Sequence, residues 1–266
     1  MQRGLDPEAR PVAIVLGCDE IGSAVAHRLH RDGFAVVLID GVDPPWPRRG
    51  MAFTDAWYAG AAELSGVAAV FCASVRSIPS VLDRSLSVAA TTWSWAGVAS
   101  ALSPVAMIDT RAPSARRTSI DRTTAPPLLT IEVVPGAITG PEFDVAIRVP
   151  APQPVRERVL YAPCAGRFST SRSIGEHVRV GENVGSVGEV PIMAPIDGCL
   201  RGLSARGARV RVGSELVEID PRADPTRCFG LDERSSAIAR GVSEALEEEG
   251  SPRRAAARKR GITAAP

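Results

Sequence analysis

The chain has 266 residues, a formal net charge of +1, 45% hydrophobic residues and 5% aromatics. That length allows one to three domains with a sizeable core, and the near-zero charge excludes a general polyanion binder. Of 31 basic residues the only lysine is Lys259, near the end, which excludes a P-loop lysine, an internal pyridoxal Schiff base and a biotinyl- or lipoyl-lysine in any folded part.

Cys18, Cys72, Cys164, Cys199 and Cys228 are odd in number, widely spaced and free of CxxC pairs. Free thiols in a reducing compartment are therefore expected. No signal-peptide plan opens the chain, and no stretch reaches the roughly 18 apolar residues of a membrane helix. A soluble, cytoplasmic protein with no membrane contact is the expectation.

Residues 11–40 read as strand–turn–helix–strand. Val12 to Leu16 is a continuous apolar run, as in a parallel strand buried on both faces. Gly17 to Gly22 form the turn; Ile21, Val25 and Leu29 then recur at helical spacing, Gly33 ends the helix, and Ala35 to Ile39 give a second strand closed by Asp40. Further strands are predicted at 67–72, 105–108, 128–134 and 145–149, and helices around 54–60 and 78–90. Residues 91–127 show no clear pattern. The alternation predicts an open, parallel, Rossmann-like α/β sheet over residues 1–154. It ends in a proline-rich linker from Pro150 to Pro154.

The next segment repeats itself with a period of 32 residues. Ala162-Pro163, Gly166 and Phe168 return as Ala194-Pro195, Gly198 and Leu200. Gly175, Val178, Val180, Gly181 and Val184 return as Gly207, Val210, Val212, Gly213 and Leu216. Each half reads as short strands between glycine turns, too small to bury its apolar face alone. The pattern over 155–222 resembles the barrel-sandwich hybrid of biotinyl and lipoyl domains. The joint between the halves, residues 185–193, has no lysine, so biotin and lipoate are excluded. A helix is predicted at 232–248 within a C-terminal segment, 223–266, that ends in a solvated charged tail.

The turn at Gly17 and Gly22 is a natural seat for a phosphate, since free N–H groups and the helix dipole face it. Asp19, however, stands where a dinucleotide fingerprint has its middle glycine. Asp40 lies where a ribose-binding acid would sit. Arg48 and Arg49 follow a proline-stiffened loop and offer two guanidinium forks for an anion, or simply a solvated basic loop. Asp109 and Arg111 close the 105–108 strand, as a ligand pair or a structural salt bridge. His27 and His30 share a helix surface without an acidic or Cys partner, and His177 sits in a repeat turn, so no metal site is expected. No catalytic arrangement is found. Cys164 and Cys199, one in each half, could approach each other as small buried hydrophobes.

Several stretches together resemble the accessory-protein family of the selenium-dependent molybdenum hydroxylase system. They are Arg48-Arg49-Gly50-Met51-Ala52-Phe53, Ile108-Asp109-Thr110-Arg111 and Ala194-Pro195-Ile196-Asp197-Gly198-Cys199-Leu200-Arg201-Gly202-Leu203, with Asp220-Pro221-Arg222 and Cys228. Cys18, Asp19 and Ala24 stand where that family's turn would have glycine. The resemblance implies a non-catalytic maturation protein for a molybdenum-cofactor hydroxylase. It would hold molybdopterin or a nucleotide phosphate on the Gly17–Gly22 turn, and its partners would be a hydroxylase subunit or other maturation proteins, not nucleic acid. Two alternatives stand beside it: an NAD(P)-dependent oxidoreductase with a degenerate turn, and an interaction module with a vestigial Rossmann site.

Overall fold

Residues 10–84, 87–111, 128–135, 143–149 and 157–249 are described in the computed structural model. The aliphatic runs form the middle of a large sheet. Its elements are β1 (Val12–Leu16), α1 (Glu20–Arg31), β2 (Ala35–Ile39), α2 (Ala56–Ala59), β3 (Ala61–Leu64), β4 (Val67–Phe71), α3 (Ile78–Arg84), β5 (Ser87–Thr91), α4 (Trp95–Leu102), β6 (Ala106–Asp109), β7 (Leu129–Val134) and β8 (Val145–Arg148). The strand order is β3-β4-β5-β2-β1-β6-β7-β8.

Alternate residues of each central strand feed opposite layers, as the pleat requires. Ala13 and Val15 join Val25 and Leu29 of α1 in one cluster. Ile14 and Leu16 join Ile78 and Leu82 of α3 and Val98 of α4 in the other. Both faces are thus covered.

The repeat forms β9 (Val159–Tyr161), β10 (Gly166–Ser169), β11 (His177–Val178), β12 (Asn183–Val187), β13 (Val190–Met193), β14 (Gly198–Leu203), β15 (Arg209–Val210) and β16 (Glu215–Asp220). They build two four-stranded antiparallel sheets, ordered β13-β12-β10-β15 and β11-β14-β16-β9. Each sheet takes two strands from each copy, so neither copy owns a sheet. One core, around Phe168, Val184, Leu200 and Leu216, fills the space between.

These observations correct the expected architecture. The large sheet is mixed rather than parallel, because β3 runs antiparallel to β4. The repeat gives two antiparallel sheets in place of the expected biotinyl/lipoyl-like barrel-sandwich hybrid. The C-terminal helix α5 (Glu233–Glu249) is no appendage: Ile238, Val242 and Leu246 complete the α1 side of the first core. Ser243 Oγ also donates to Asp32 Oδ2 at 2.6 Å. Two local readings change as well. The 78–90 stretch is α3 followed by β5, and α4 lies in the segment without pattern. The proline-rich linker and the charged tail lie outside the described residues.

The two repeat copies fill equivalent space with different side chains. Phe168 in the first copy stands where the second has Leu200. A Cβ on Gly185 would lie 2.7 Å from the Phe168 ring and 2.7 Å from the Ser169 carbonyl oxygen. The second copy has Val217 at the position of Gly185 and pairs it with the smaller leucine. Gly185→Ala is therefore expected to destabilise by roughly 1–3 kcal/mol through overpacking. Adding Phe168→Leu should recover part of that loss in urea unfolding, as positive coupling in a double-mutant cycle.

Candidate functional site

β1 lies between β2 and β6, so the strand order reverses beside it. In open α/β sheets the crevice at the carboxyl ends of such strands is the usual ligand position. The Gly17–Gly22 turn sits there. Gly17 has φ +103°, and a Cβ on Gly22 would lie 1.9 Å from the Gly17 carbonyl oxygen, so both glycines are required by the tightness of the turn.

The carboxylates around this turn have settled tasks. Asp19 is the N-cap of α1, its Oδ1 accepting from Gly22 N at 2.8 Å. Asp40 Oδ2 accepts from Cys18 N at 2.8 Å and from Trp46 Nε1 at 2.9 Å, while Oδ1 accepts from Gly41 N at 2.6 Å. With three donors already on its two oxygens, Asp40 fixes the turn and the following loop. Cys18 is fully buried, and burial with Asp40 beside it raises its thiol pKa, so it stays protonated.

Asp109 and Arg111 form a closed pair. Arg111 Nε donates to Oδ1 at 2.9 Å and Nη2 to Oδ2 at 2.8 Å, on a carboxylate only 1% exposed. Asp220 and Arg222 repeat the arrangement at the end of β16, with Nε on Oδ1 at 2.9 Å and Nη2 on Oδ2. The same Asp-x-Arg geometry at two strand ends is a way of closing a strand, and Asp109 with Arg111 forms the salt bridge that stood as one of its two readings.

Arg48 and Arg49 are engaged with groups of the chain itself. Arg48 Nη1 donates to Glu20 Oε1 at 2.9 Å, and its Nε and Nη2 reach Glu218 Oε2 and Oε1 at 2.5 and 3.2 Å. Burial works against its charge, but Glu20 and Glu218 outweigh it and raise its pKa. Arg49 Nε donates to the Leu203 carbonyl at 2.7 Å, and Nη1 pairs with Asp55. Leu203 N in turn donates to Pro47 O at 2.7 Å. The loop expected to hold a ligand is the joint between the large sheet and the repeat sheets. Glu20 and Glu218, unremarkable in the sequence, are what make it one.

What remains at the crevice is Asp19. It is partly buried, and no ion pair to it is found among the described residues. Burial first, then Glu20 and Asp40, push its carboxyl up to about 8, against the opposing hydrogen bond from Gly22. Among the described residues no three His, Cys, Asp or Glu side chains are grouped to hold a metal. His27 Nε2 lies 3.3 Å from the Ser65 carbonyl oxygen, and His177 is exposed. Cys199 approaches Cys228, not Cys164, whose thiol lies 3.6 Å from the Val187 carbonyl oxygen. No described helix is long and apolar enough to cross a membrane.

No protein-family model matches the chain. It is 26% identical over 269 residues to the uncharacterized protein YqeB of Escherichia coli, covering 92% of this chain and 49% of that one. The chain thus spans about half the length of the curated relative it matches. Among solved structures, a succinylglutamate desuccinylase/aspartoacylase of Rhodobacter sphaeroides is 22% identical over 28% of this chain and 23% of its own, with a TM-score of 0.23. An aspartoacylase family protein of Mesorhizobium loti is 13% identical over 80% and 85%, with a TM-score of 0.26. The ectoine utilization protein EutE (DoeB) of Ruegeria pomeroyi is 10% identical over 79% and 85%, with a TM-score of 0.25. The expected resemblance is withdrawn: no family model matches the chain, and none of these solved structures is a molybdenum hydroxylase accessory protein. The expected maturation role is withdrawn with it. TM-scores this low carry no argument about this chain's own chemistry.

Two outcomes follow from the joint and the cap. Arg48→Ala leaves Glu20 and Glu218 without their shared cation, and should cost roughly 2–3 kcal/mol in urea unfolding, below the ~3–5 of a fully buried pair. Arg48→Lys should not restore it, because an ammonium lacks the planar fork. The Asp19 carboxyl titrates higher in the folded chain than in the unfolded one. Its contribution to stability is therefore complete below about pH 4 and lost as pH rises through about 8. Asp19→Asn keeps the cap and should flatten that decline, melting above the parent at pH 9 and level with it near pH 4.

Proposed function

We propose that the crevice at the carboxyl ends of β1 and β6 binds a small neutral or cationic hydrogen-bonding group rather than a phosphate. The observation that supports this most is Asp19, a partly buried carboxyl at the switch point with no ion pair among the described residues, which burial and the neighbouring Glu20 hold back from ionising. A group presenting N–H donors or a positive charge would relieve that suppression. A pyrophosphate would further oppose the ionisation of Asp19 and would meet the carboxylates of Glu20, Asp40 and Asp109 close behind it. The nearest guanidiniums, Arg48 and Arg111, are already engaged with carboxylates. Gly17, Gly22, Asp40, Asp109 and Arg111 frame the crevice in this reading. The dinucleotide-dependent alternative loses its ribose acid to the turn and its phosphate seat to Asp19. The desuccinylase and aspartoacylase activities of two of the solved structures are not adopted, since those likenesses carry no argument.

Agmatine, which carries a guanidinium and an amine, is a suitable probe. It should raise the melting temperature of the full chain and bind with release of a proton near pH 7.5, read as buffer-dependent heat in calorimetry. Asp19→Asn should remove both effects. NAD, ADP and pyrophosphate should give no heat at millimolar concentration. Binding of pyrophosphate or NAD in preference to agmatine would overturn the proposal.

A further inference from the structure

Cys199 lies on β14, where it pairs with Asp220 of β16. Cys228 closes the short 3-10 turn Pro225–Cys228 in the segment that leads from β16 to α5. Their Sγ atoms are 3.3 Å apart, and both residues are fully buried. Two sulfurs on a tetrahedral zinc at ~2.3 Å each stay about 3.8 Å apart, so this pair is closer than a shared metal would hold it. Nor do the described residues supply a third ligand. The other contact of the Cys228 thiol is a distant one, 3.9 Å to the Asp224 carbonyl oxygen.

We propose that Cys199 and Cys228 are an oxidisable pair that closes to a disulfide with hydrogen peroxide, fastening the 221–232 segment to β14. Both sequence neighbours of Cys228, Arg227 and Phe229, are exposed, so Cys228 is the sulfur uncovered when this segment moves. Its sulfur takes one peroxide oxygen as the O–O bond breaks, and the thiol proton leaves with the other oxygen as water. The Cys199 sulfur then attacks the sulfenic acid: the S–S bond forms, the S–O bond breaks, and a second water departs with the Cys199 proton. Two thiols lose two electrons in all, and peroxide gains them. Burial keeps the Cys228 thiol protonated, an effect that neighbouring Cys199 and Asp220 reinforce and Arg201 opposes. The pair is accordingly protected while the segment is seated.

The fastened segment also bridges the two parts of the chain, beside the Arg48 joint. Gly230 N donates to the Gly50 carbonyl oxygen at 2.9 Å, and Arg201 pairs with Asp232 at 3.6 Å. Oxidation therefore adds a covalent tie beside contacts that are otherwise non-covalent.

The full chain is treated with millimolar hydrogen peroxide, alkylated and mapped by mass spectrometry. The expected result is a linked Cys199–Cys228 peptide pair lacking two hydrogens, with a higher melting temperature that dithiothreitol reverses. Cys164→Ser should leave both effects intact, whereas Cys199→Ser and Cys228→Ser should abolish them. If either serine variant fails to fold, the mapping of the unaltered chain decides alone. Separate alkylation of Cys199 and Cys228 while Cys164 is oxidised would overturn the proposal. So would a link that leaves the melting temperature unchanged.

Discussion

The Arg48 guanidinium is the point on which the two parts of the molecule depend. It joins the first turn of α1, through Glu20, to the last strand of the repeat, through Glu218. The bidentate fork to Glu218 fixes orientation as well as distance, which a flexible ammonium would not do. Two carboxyl-bearing elements meet here, and a single planar cation reconciles them. The arginine-rich composition becomes intelligible in this light: Arg48, Arg111 and Arg222 each hold a carboxylate through two of their nitrogens.

Around that ion pair the contact is shaped by what is missing from the backbone. The Phe229 ring fits against Gly50 of the first part and Gly175 of the second. A Cβ at these positions would lie 2.9 and 3.0 Å from ring carbons. Phe229 is 53% exposed and still works as a wedge, its inner edge held between two glycines from distant parts of the chain. Gly50 belongs to the run that also carries Arg48 and Arg49, so the whole stretch from Pro47 to Gly50 serves the joint.

The parts of this structure that rest on short-range pattern were legible in the sequence. Val12–Leu16 and Ala35–Ile39 are buried on both sides and read as continuous apolar runs. The 32-residue repeat announces its strands because glycine turns recur with it. Ser87–Thr91 was less readable. It is a fully buried strand made of small residues, and its alanines suit a helix equally well. The α4 segment carries apolar residues around most of its circumference and so shows little periodicity. The joint at the candidate site was hard to read for a different reason. Arg48 and Glu218 are 170 residues apart, and nothing local to either marks the partner. A pair of arginines after prolines looks the same whether it awaits a phosphate or a carboxylate of its own chain. The Asp109–Arg111 pair, by contrast, could be weighed as a salt bridge in the sequence because both partners lie within two residues.

The exchange of strands between the repeat copies has a consequence for how such a chain can exist at all. Each sheet draws two strands from each copy, so one copy alone would leave both sheets with unpaired edges. A half-length ancestor could complete them only by closing with a second molecule about a two-fold axis. Fusion of two such copies makes the pairing intramolecular, and the fold no longer depends on protein concentration. Within one chain, two such copies need not be identical. Phe168 with Gly185 in one and Leu200 with Val217 in the other are the mark of that freedom, since a symmetric pair of identical chains could not have held two different solutions at once.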